Sequence, residues 1–201
     1  MAIIETSFEQ RSEEWFKARL GNIGASSMSK IITSQGKPSK QREGLLFQLA
    51  SEKIREAGDE TYQSQAMIDG QVREDEARSL FELLKDVEIK QAAMVYKNED
   101  KSFHISPDGL IGDDGGIEIK APLGKTHAKY LYDNKVPTDY FVQIQSSLYV
   151  SERKYWWFMS YVESMRPLMI KVERDEKFIE ALAIELNLFC AELKEIITKI
   201  Q

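Results

Sequence analysis

The sequence predicts an α/β fold with mixed helices and strands. Three observations predict it: long segments repeat apolar residues at three- and four-residue spacing, shorter runs are rich in β-branched and aromatic residues, and the two kinds are interspersed along the chain. With 201 residues, 42% of them hydrophobic, the chain can bury a sizeable core and lies within the usual range of one domain. We therefore expect a single domain over residues 1–201.

The predicted elements run in the order helix, β-meander, helix, strand, helix. Helices are recognised by three-four apolar spacing, and strands by short runs between turn-forming residues. In chain order they are helices at about 43–57 and 64–85, strands near 87–97, 101–106 and 116–120, helices around 125–134 and 138–150, strands at 155–162 and 168–172, and a closing helix. A segment with Gly36, Pro38 and several serines, 34–41, indicates a loop.

The closing helix carries a single apolar seam. Its members are Ile179, Leu182, Leu186, Phe189, Leu193, Ile196 and Ile200. Three-four alternation of this kind keeps one face against one partner. The partner is either the core of the same chain, which is the default interpretation, or a neighbouring subunit.

Charge and cysteine content limit the classes of function. A formal net charge of −6 argues against a protein that coats DNA without specificity, because such binding depends on lysine and arginine releasing counterions. Between Trp15 and Arg42 there are six basic residues and no acidic one, which indicates either a phosphate-binding face or a solvated charged face. The single cysteine, Cys190, cannot form an internal disulfide or an iron–sulfur cluster.

The same features predict the compartment. A chain with one cysteine fits a reducing cytosol, so we expect a cytoplasmic protein. No stretch approaches the ~20 apolar residues that span a bilayer, so no membrane association is expected.

The stretch that ends at Lys120 carries the candidate chemistry. It has the pattern of two strands joined by a turn. Because side chains alternate along a strand, His104, Ser106 and Asp108 are expected to share one face. Glu118 and Lys120 likewise share a face, while the isoleucines that alternate with them enter the core.

Two carboxylates and an ammonium group around one point suit phosphodiester cleavage. Carboxylate oxygens hold Mg²⁺, the metal polarises the phosphate and lowers the pKa of a water molecule, and a positive charge stabilises the pentavalent anion. Burying two carboxylates together without a cation is costly, so a cation is implied if they converge. With His104 and His127 as the two histidines, a zinc site is not expected.

The Glu-x-Lys pattern alone is weak evidence, because it occurs five times in the chain. The four other occurrences begin at Glu88, Glu99, Glu152 and Glu192. Glu118 differs in its context: an aspartate lies ten residues earlier behind a Ser-Pro turn signal, a Gly-Gly break follows, and isoleucines take the alternate positions. The alternative interpretation is a surface hairpin with ion pairs.

The helix at about 64–85 places an acid on its apolar face. The inward stripe is Met67, Gly70, Glu74, Ala77, Phe81 and Leu84. An acid between small residues is unusual there unless it meets a cation, so Glu74 is a candidate for the metal site. Exposure at the helix end, or pairing with Arg73 or Arg78, is the alternative.

Near the N-terminus, Arg19 precedes a segment in which Ser26 or Ser27 could cap a helix. Exposed amides at a helix start, beside an arginine, form an anion site suited to a phosphate. Simple capping beside a surface arginine explains the same residues.

Taken together, these motifs give the chain a resemblance to the lambda exonuclease-like family of phage recombination nucleases (phage alkaline exonucleases, or viral recombinases), a branch of the PD-(D/E)xK superfamily. The resemblance covers nearly the whole chain. The matching pieces, in chain order, are Trp15 with Arg19-Leu20-Gly21 and Ala25-Ser26, Gly70 with Glu74 and Ala77-Arg78, Ser106-Pro107-Asp108-Gly109, Glu118-Ile119-Lys120 with Pro122, Gln143-Ile144-Gln145, and Glu173-Arg174-Asp175-Glu176-Lys177.

The resemblance implies a PD-(D/E)xK restriction-endonuclease-like core, with a central mixed β-sheet flanked by helices. It also implies roles for individual residues. The metal ligands would be Asp108, Glu118 and the backbone carbonyl of Ile119; Lys120 would activate or orient the attacking water; Glu74 and Gln143 would line the same centre; and Arg19, Ser26 and Ser106 would bind the 5′-phosphate of the DNA strand. Gln145 stays open as an alternative to Gln143.

The activity implied is a Mg²⁺-dependent exonuclease, for which Mn²⁺ can substitute, that digests one strand of linear duplex DNA in the 5′→3′ direction to mononucleotides. The products are 3′ single-stranded overhangs for recombination. Ring-shaped homotrimers and a phage single-strand annealing protein as partner are also implied.

Two rival functions stay open. One is an endonuclease of the PD-(D/E)xK superfamily, although no added element for reading bases is evident. The other is a catalytically inactive recombination protein that binds DNA ends, which the joint presence of the acidic residues and Lys120 disfavours.

Overall fold

The computed structural model describes residues 2–58 and 65–201, and over 65–71 it describes the backbone alone. The elements are β1 (Ile3–Glu5), α1 (Glu13–Arg19), β2 (Ile23–Gly24), a 3₁₀ helix (Ala25–Lys30), α2 (Arg42–Arg55), α3 (Gln65–Lys85), β3 (Ile89–Lys90), β4 (Met94–Tyr96), β5 (Phe103–Ile105), β6 (Gly109–Ile111), β7 (Gly115–Lys120), α4 (Gly124–Asp133), α5 (Thr138–Ser151), β8 (Tyr155–Ser160), β9 (Leu168–Glu173) and α6 (Glu176–Ile200).

The strands form two mixed sheets. One has the order β1-β4-β5-β2, with β2 parallel to β5; the other has the order β3-β6-β7-β8-β9, with β7 parallel to β8. The predicted α/β class is confirmed, with two sheets where one central sheet was expected. The difference arises because the apolar run 87–97 is divided between the sheets: β3 pairs with β6, whereas β4 pairs with β1 and β5.

The N-terminal elements were not predicted as such, and one prediction there was wrong. Ser26 and Ser27 lie inside the 3₁₀ helix, whose N-cap is Gly24, so neither serine caps a helix. The first helix, α1, is instead capped by Ser12, whose side chain accepts a hydrogen bond from the Trp15 amide.

Two apolar clusters hold the sheets and helices together. The larger one includes Ile179, Leu182, Leu186, Phe189 and Leu193, so the seam of α6 packs into the core of its own chain. At the end of α6 the seam leaves the core, since Ile200 is 55% exposed. Within the described parts of the chain, no helix is both long and apolar enough to cross a bilayer.

The smaller cluster lies between α3 and the five-stranded sheet. Ala77 and Phe81 of α3 pack there against Ile117 and Ile119 of β7. Leu84, which was predicted to lie on the same stripe, is half exposed. The predicted positions at Met67 and Gly70 lie outside the side chains that the structure describes.

The β6–β7 hairpin is clamped by a buried arginine. The guanidinium of Arg153 donates hydrogen bonds to the carbonyls of Gly112 and Gly115, each at 2.7 Å, and to that of Ile111 at 3.4 Å. Each bond to a charged group stabilises the fold by about 1.5–3 kcal/mol where solvent is excluded. The clamp therefore fixes the turn between the two strands.

The predicted Gly-Gly break is in fact the start of β7. Gly115 and Gly116 are needed for space, because a Cβ on Gly115 would lie 2.3 Å from the Tyr155 ring and one on Gly116 would lie 2.3 Å from the Trp156 ring. The aromatic residues of β8 therefore cover the strand that leads to Glu118.

Substituting Gly116 tests this close approach. Trp156 is fully buried and cannot move away freely, so Gly116→Ala should lower the free energy of unfolding by about 1–3 kcal/mol, the usual cost of overpacking a core. Urea denaturation measures the change. The matched control is Gly44→Ala in α2, where no atom lies within 4 Å of the added methyl group and the helix should become slightly more stable. Equal effects of the two substitutions would contradict the packing argument.

Candidate active site

The central residue of the site, Asp108, lies where the chain crosses from one sheet to the other. Strand β5 ends at Ile105 and β6 begins at Gly109. The side-chain amide of Gln10 donates hydrogen bonds to the carbonyls of Pro107, in this crossing, and of Ala92, in the connection between β3 and β4, each at 2.8 Å. The aspartate is thus held by fixed backbone on both sides.

Hairpin pairing brings the two predicted carboxylates together. Gly109 pairs with Ile117, so Asp108 lies beside the end of β7, and its Oδ2 accepts a hydrogen bond of 2.6 Å from the amide of Ile119. Burial raises the pKa of Asp108 well above its usual value, and the Glu118 and Glu74 carboxylates raise it further. The hairpin therefore concentrates negative charge at one point.

Glu118 has two partners on the face of β7 opposite the isoleucines. Its Oε1 accepts a hydrogen bond of 2.6 Å from the side-chain amide of Gln143 on α5 and forms an ion pair with Lys120. Of the two candidate glutamines, Gln143 reaches the site. Gln145 bonds instead to the backbone of Glu173 and Asp175, near the start of α6.

Lys120 is partly buried beside the ring of Tyr140, with Nζ 5.3 Å from the ring centroid. Burial alone would lower the pKa of Lys120, but the carboxylates of Glu118 and Asp108 outweigh it and raise that pKa above its usual value. The side chain is therefore a fixed cation at neutral pH.

Glu74 lies between two arginines. Its Oε1 accepts from Arg78 at 3.0 Å and its Oε2 from Arg11 at 3.1 Å. Arg78 also donates to the backbone carbonyl of Asp108 at 2.9 Å, so it links α3 to the site. The predicted alternative of a pair with Arg78 is present, and Glu74 still lies close enough to raise the pKa of Asp108.

Arg19 lines a cavity of about 670 Å³ beside α1 and α2. Its guanidinium lies 4.2 Å from the ring centroid of Trp15, and within the described chain it forms no ion pair and no side-chain hydrogen bond. Trp15 in turn donates from Nε1 to the hydroxyl of Ser106 at 2.9 Å, which connects the cavity to the residue two positions before Asp108.

The predicted serines are placed differently. Ser106 donates its hydroxyl proton to the carbonyl of Ala93 at 3.1 Å, so it must rotate before it can donate to a phosphate. Ser26 is exposed and Ser27 lines the cavity with Arg19. The role of Ser26 stays a prediction.

Arg11 was missed from the sequence. It has a positive φ of 70° in the turn before α1, and it reaches Glu74 from 63 positions away in the chain. No local pattern connects two such distant residues.

The donor set fits a hard divalent cation. Among residues with described side chains, no group of three or more His, Cys, Asp or Glu is arranged to hold a metal ion, whereas the carboxylates of Asp108 and Glu118 lie side by side. Within that part of the structure, Oδ1 of Asp108 and Oε2 of Glu118 accept no hydrogen bond. Mg²⁺ suits such a site because it binds through one or two carboxylates and keeps several waters.

The chain is similar to known proteins of one kind. It is 27% identical to an alkaline exonuclease (LHK-Exo) from Laribacter hongkongensis, with a TM-score of 0.85 over 94% of this chain and 96% of that one. The same exonuclease in complex with dAMP matches with a TM-score of 0.84, at the same identity and coverage. A phage-related exonuclease from Haemophilus somnus 129PT, 13% identical, shares the fold with a TM-score of 0.68 over 90% of this chain and 96% of that one.

No curated protein sequence is significantly similar to the chain. The family model of the YqaJ-like viral recombinase domain matches residues 14–154, a span that includes Arg19, Glu74, Asp108, Glu118 and Gln143. The predicted resemblance to lambda exonuclease-like recombination nucleases is thereby confirmed. Because the match covers more than half of the sequence and spans both the cavity and the paired carboxylates, the chain belongs to the family of YqaJ-like viral recombinase domains.

Proposed function

We propose that the protein is a Mg²⁺-dependent 5′→3′ exonuclease that digests one strand of linear double-stranded DNA to mononucleotides and leaves 3′ overhangs for single-strand annealing recombination. The observation that carries this proposal is the convergence of Asp108 and Glu118, with Lys120 paired to the second carboxylate. Two carboxylates and a fixed cation at one point are what phosphodiester hydrolysis requires.

The class of enzyme follows from the family of the chain and its structural neighbours. The family and the alkaline exonuclease neighbours confirm that the chain is a DNA nuclease. The neighbour that was solved with dAMP binds a deoxynucleoside monophosphate, which is the kind of product that the proposed reaction releases.

Asp108 and Glu118, with the carbonyl of Ile119, would hold Mg²⁺. When bound, the ion would polarise the scissile phosphate and lower the pKa of a water molecule. The carboxylates contribute the charge that would attract it; burial, followed by the Glu118 and Glu74 carboxylates, raises the pKa of Asp108.

Lys120 would act as a cation near the scissile phosphate and as an orienting group for the attacking water. Its raised pKa argues against a role as proton acceptor, because an ammonium group has no lone pair at neutral pH. Gln143 holds Glu118 from the side of α5, and Glu74, fixed by its two arginines, would lie on the water side of the same centre.

The DNA end would bind at Arg19. Its guanidinium has no acidic partner in the described chain, and it is connected to the carboxylates through Trp15 and Ser106. A guanidinium of this kind can bind two oxygens of a 5′-phosphate. Ser26 and Ser106 are proposed as further contacts.

The wider setting follows from the family resemblance. We propose a homotrimeric ring around the DNA, which would keep the enzyme on its substrate, and a phage single-strand annealing protein that receives the overhang. Action in the cytoplasm of a bacterial host cell and substitution of Mn²⁺ for Mg²⁺ belong to the same proposal.

Strand-specific labels test the direction of digestion. Linear duplex DNA labelled on the 5′-phosphorylated or the 3′ end is incubated with the protein and Mg²⁺, beside a closed circular duplex. The proposal predicts that label leaves the 5′ end as mononucleotide, while the 3′ label stays in a long strand and circles survive. Cleavage of the circles would make the protein an endonuclease, and DNA that is bound but never cut would make it an end-binding protein.

Removing the charge of Lys120 tests the chemistry. Lys120→Ala should lower kcat by about 10²–10⁴-fold, the usual range for a group that assists proton transfer or developing charge, with a smaller effect on KM. Single-turnover digestion measures it. The control is Lys199→Ala, which removes an exposed lysine that is also paired with a glutamate and should retain wild-type rates. A wild-type kcat for Lys120→Ala would exclude the assigned role.

The charge of Asp108 should destabilise the metal-free protein. Burial and the neighbouring carboxylates raise the pKa of Asp108 in the folded protein. At a pH between the pKa of the unfolded chain and that of the folded protein, Asp108 is therefore protonated in the folded protein and ionised in the unfolded chain. The free energy of unfolding therefore falls as pH rises through that window. Asp108→Asn lacks this loss, so in EDTA at neutral pH it should melt at a higher temperature than wild type.

Calorimetry from about pH 4 to about pH 8, with and without Mg²⁺, checks the sign. Mg²⁺ should raise the Tm of wild type and leave that of Asp108→Asn almost unchanged. Asp133→Asn is the control, because the nearby Lys129 lowers the pKa of Asp133 and its removal should not stabilise the protein. An Asp108→Asn protein that melts below wild type in EDTA throughout this range would refute the argument.

A further inference from the structure

His104 is a buried side chain whose polar atoms have no partner. It is 1% exposed, and neither Nδ1 nor Nε2 of its ring forms a hydrogen bond within the described residues. Leaving a buried polar group without a partner is unfavourable, because the group loses its hydrogen bonds to water and gains none in the protein. A ligand that supplies the missing hydrogen bond would remove this cost.

The other histidine of the chain, His127, is also buried, but its ring nitrogens do form hydrogen bonds. Both nitrogens of His127 are satisfied, Nδ1 by the hydroxyl of Ser160 at 2.8 Å and Nε2 by the carbonyl of Arg166 at 2.9 Å. His127 is therefore a structural residue. His104 is just as buried as His127, but its ring nitrogens form no hydrogen bonds within the described residues.

The free edge of His104 faces the same point as the guanidinium of Arg19. In the sheet, Gly24 of β2 pairs with His104 of β5. A Cβ placed on Gly24 would lie 3.3 Å from Nε2 of His104 and 3.8 Å from Nη2 of Arg19. Because glycine has no side chain there, the space between imidazole and guanidinium stays open, and both groups line the 670 Å³ cavity.

The charges at this point suit an anion. Arg19 has no acidic partner in the described chain. Burial lowers the pKa of His104, and the positive charge of Arg19 lowers it further, to about 3. The imidazole is therefore neutral in the working range of pH and presents one N–H donor. A fixed cation and a neutral donor that converge on one point match a phosphate group better than a base or a sugar.

The position along the strand fits the end of the substrate. His104, Ser106 and Asp108 follow one another at two-residue intervals from the cavity to the carboxylates, and Trp15 joins Arg19 to Ser106. A terminal phosphate at His104 and Arg19 would thus lie on the same side of the chain as the phosphodiester to be cut.

We propose that His104, in its Nε2–H tautomer, donates a hydrogen bond to the 5′-terminal phosphate that Arg19 binds, and so makes the enzyme select phosphorylated over hydroxyl 5′ ends. This inference rests on the proposed exonuclease function and adds a residue that reads the terminus. His104 is a substrate-contacting residue in this proposal and takes no part in bond cleavage.

Binding to matched DNA ends tests the proposal. The affinity for duplexes with a 5′-phosphate or a 5′-hydroxyl is measured by fluorescence anisotropy with Ca²⁺ in place of Mg²⁺. His104→Phe keeps an aromatic ring, slightly larger than imidazole, and loses both nitrogens, so it should weaken binding of the phosphorylated end by about tenfold and leave the hydroxyl end unchanged. His104→Gln keeps a donor and should retain part of the preference.

Tyr96→Phe is the matched control. The Tyr96 ring packs against the imidazole, with centroids 6.1 Å apart, and its hydroxyl bonds to the sulfur of Met94. This variant changes a neighbour of His104 and should keep the full preference. If His104→Phe fails to fold, Gly24→Ala replaces it, because the added methyl group fills the shared point and should abolish the preference.

Inorganic phosphate gives a readout that is independent of DNA. Titrating it into wild type should shift the imidazole ¹⁵N signals of His104 and leave those of His127 in place. Unchanged His104 signals, or a His104→Phe protein with the wild-type preference for phosphorylated ends, would overturn the inference while the exonuclease function stands. A wild type that shows no dependence on DNA ends would instead overturn the proposed function itself.

Discussion

Repulsion between carboxylates is the constraint around which the rest of the structure is organised. Asp108 and Glu118 are held side by side by the register of one hairpin, at a place with little water to screen them. The surroundings offset this repulsion in several ways. Lys120 and Gln143 bind one oxygen of Glu118, the Ile119 amide binds Asp108, and Arg78 binds the backbone of Asp108. These contacts come from three elements, β7, α5 and α3, which together surround the two carboxylates.

Glu74 shows how a third acid is accommodated. Left alone, it would add to the repulsion at Asp108, and it does raise the pKa of that residue. Two arginines hold it, one on its own helix and one from the turn before α1. The two arginines fix the position of the Glu74 carboxylate beside the site through charge-assisted hydrogen bonds.

The features that could be predicted from the sequence are those that depend on the spacing of residues close together in the chain. The helix predicted at about 43–57 lies at Arg42–Arg55, and the alternation around Glu118 correctly placed the isoleucines in the core, because both patterns repeat within a few residues. The strands β1 and β2 were missed, since each pairs with a strand far along the chain. Arg11 with Glu74, and the open space between Gly24 and His104, likewise depend on contacts that no local pattern encodes.

Because Arg153 binds backbone carbonyls, the conformation of the β6–β7 hairpin does not depend on which side chains occupy its tip. The carbonyls of Gly112 and Gly115 are held from the side by a cation that enters from the start of β8, and Asp113 and Asp114 lie at the surface beyond it. Backbone carbonyls are the same for every amino acid. Substitutions at the tip can therefore change its side chains while the two carboxylates keep their spacing.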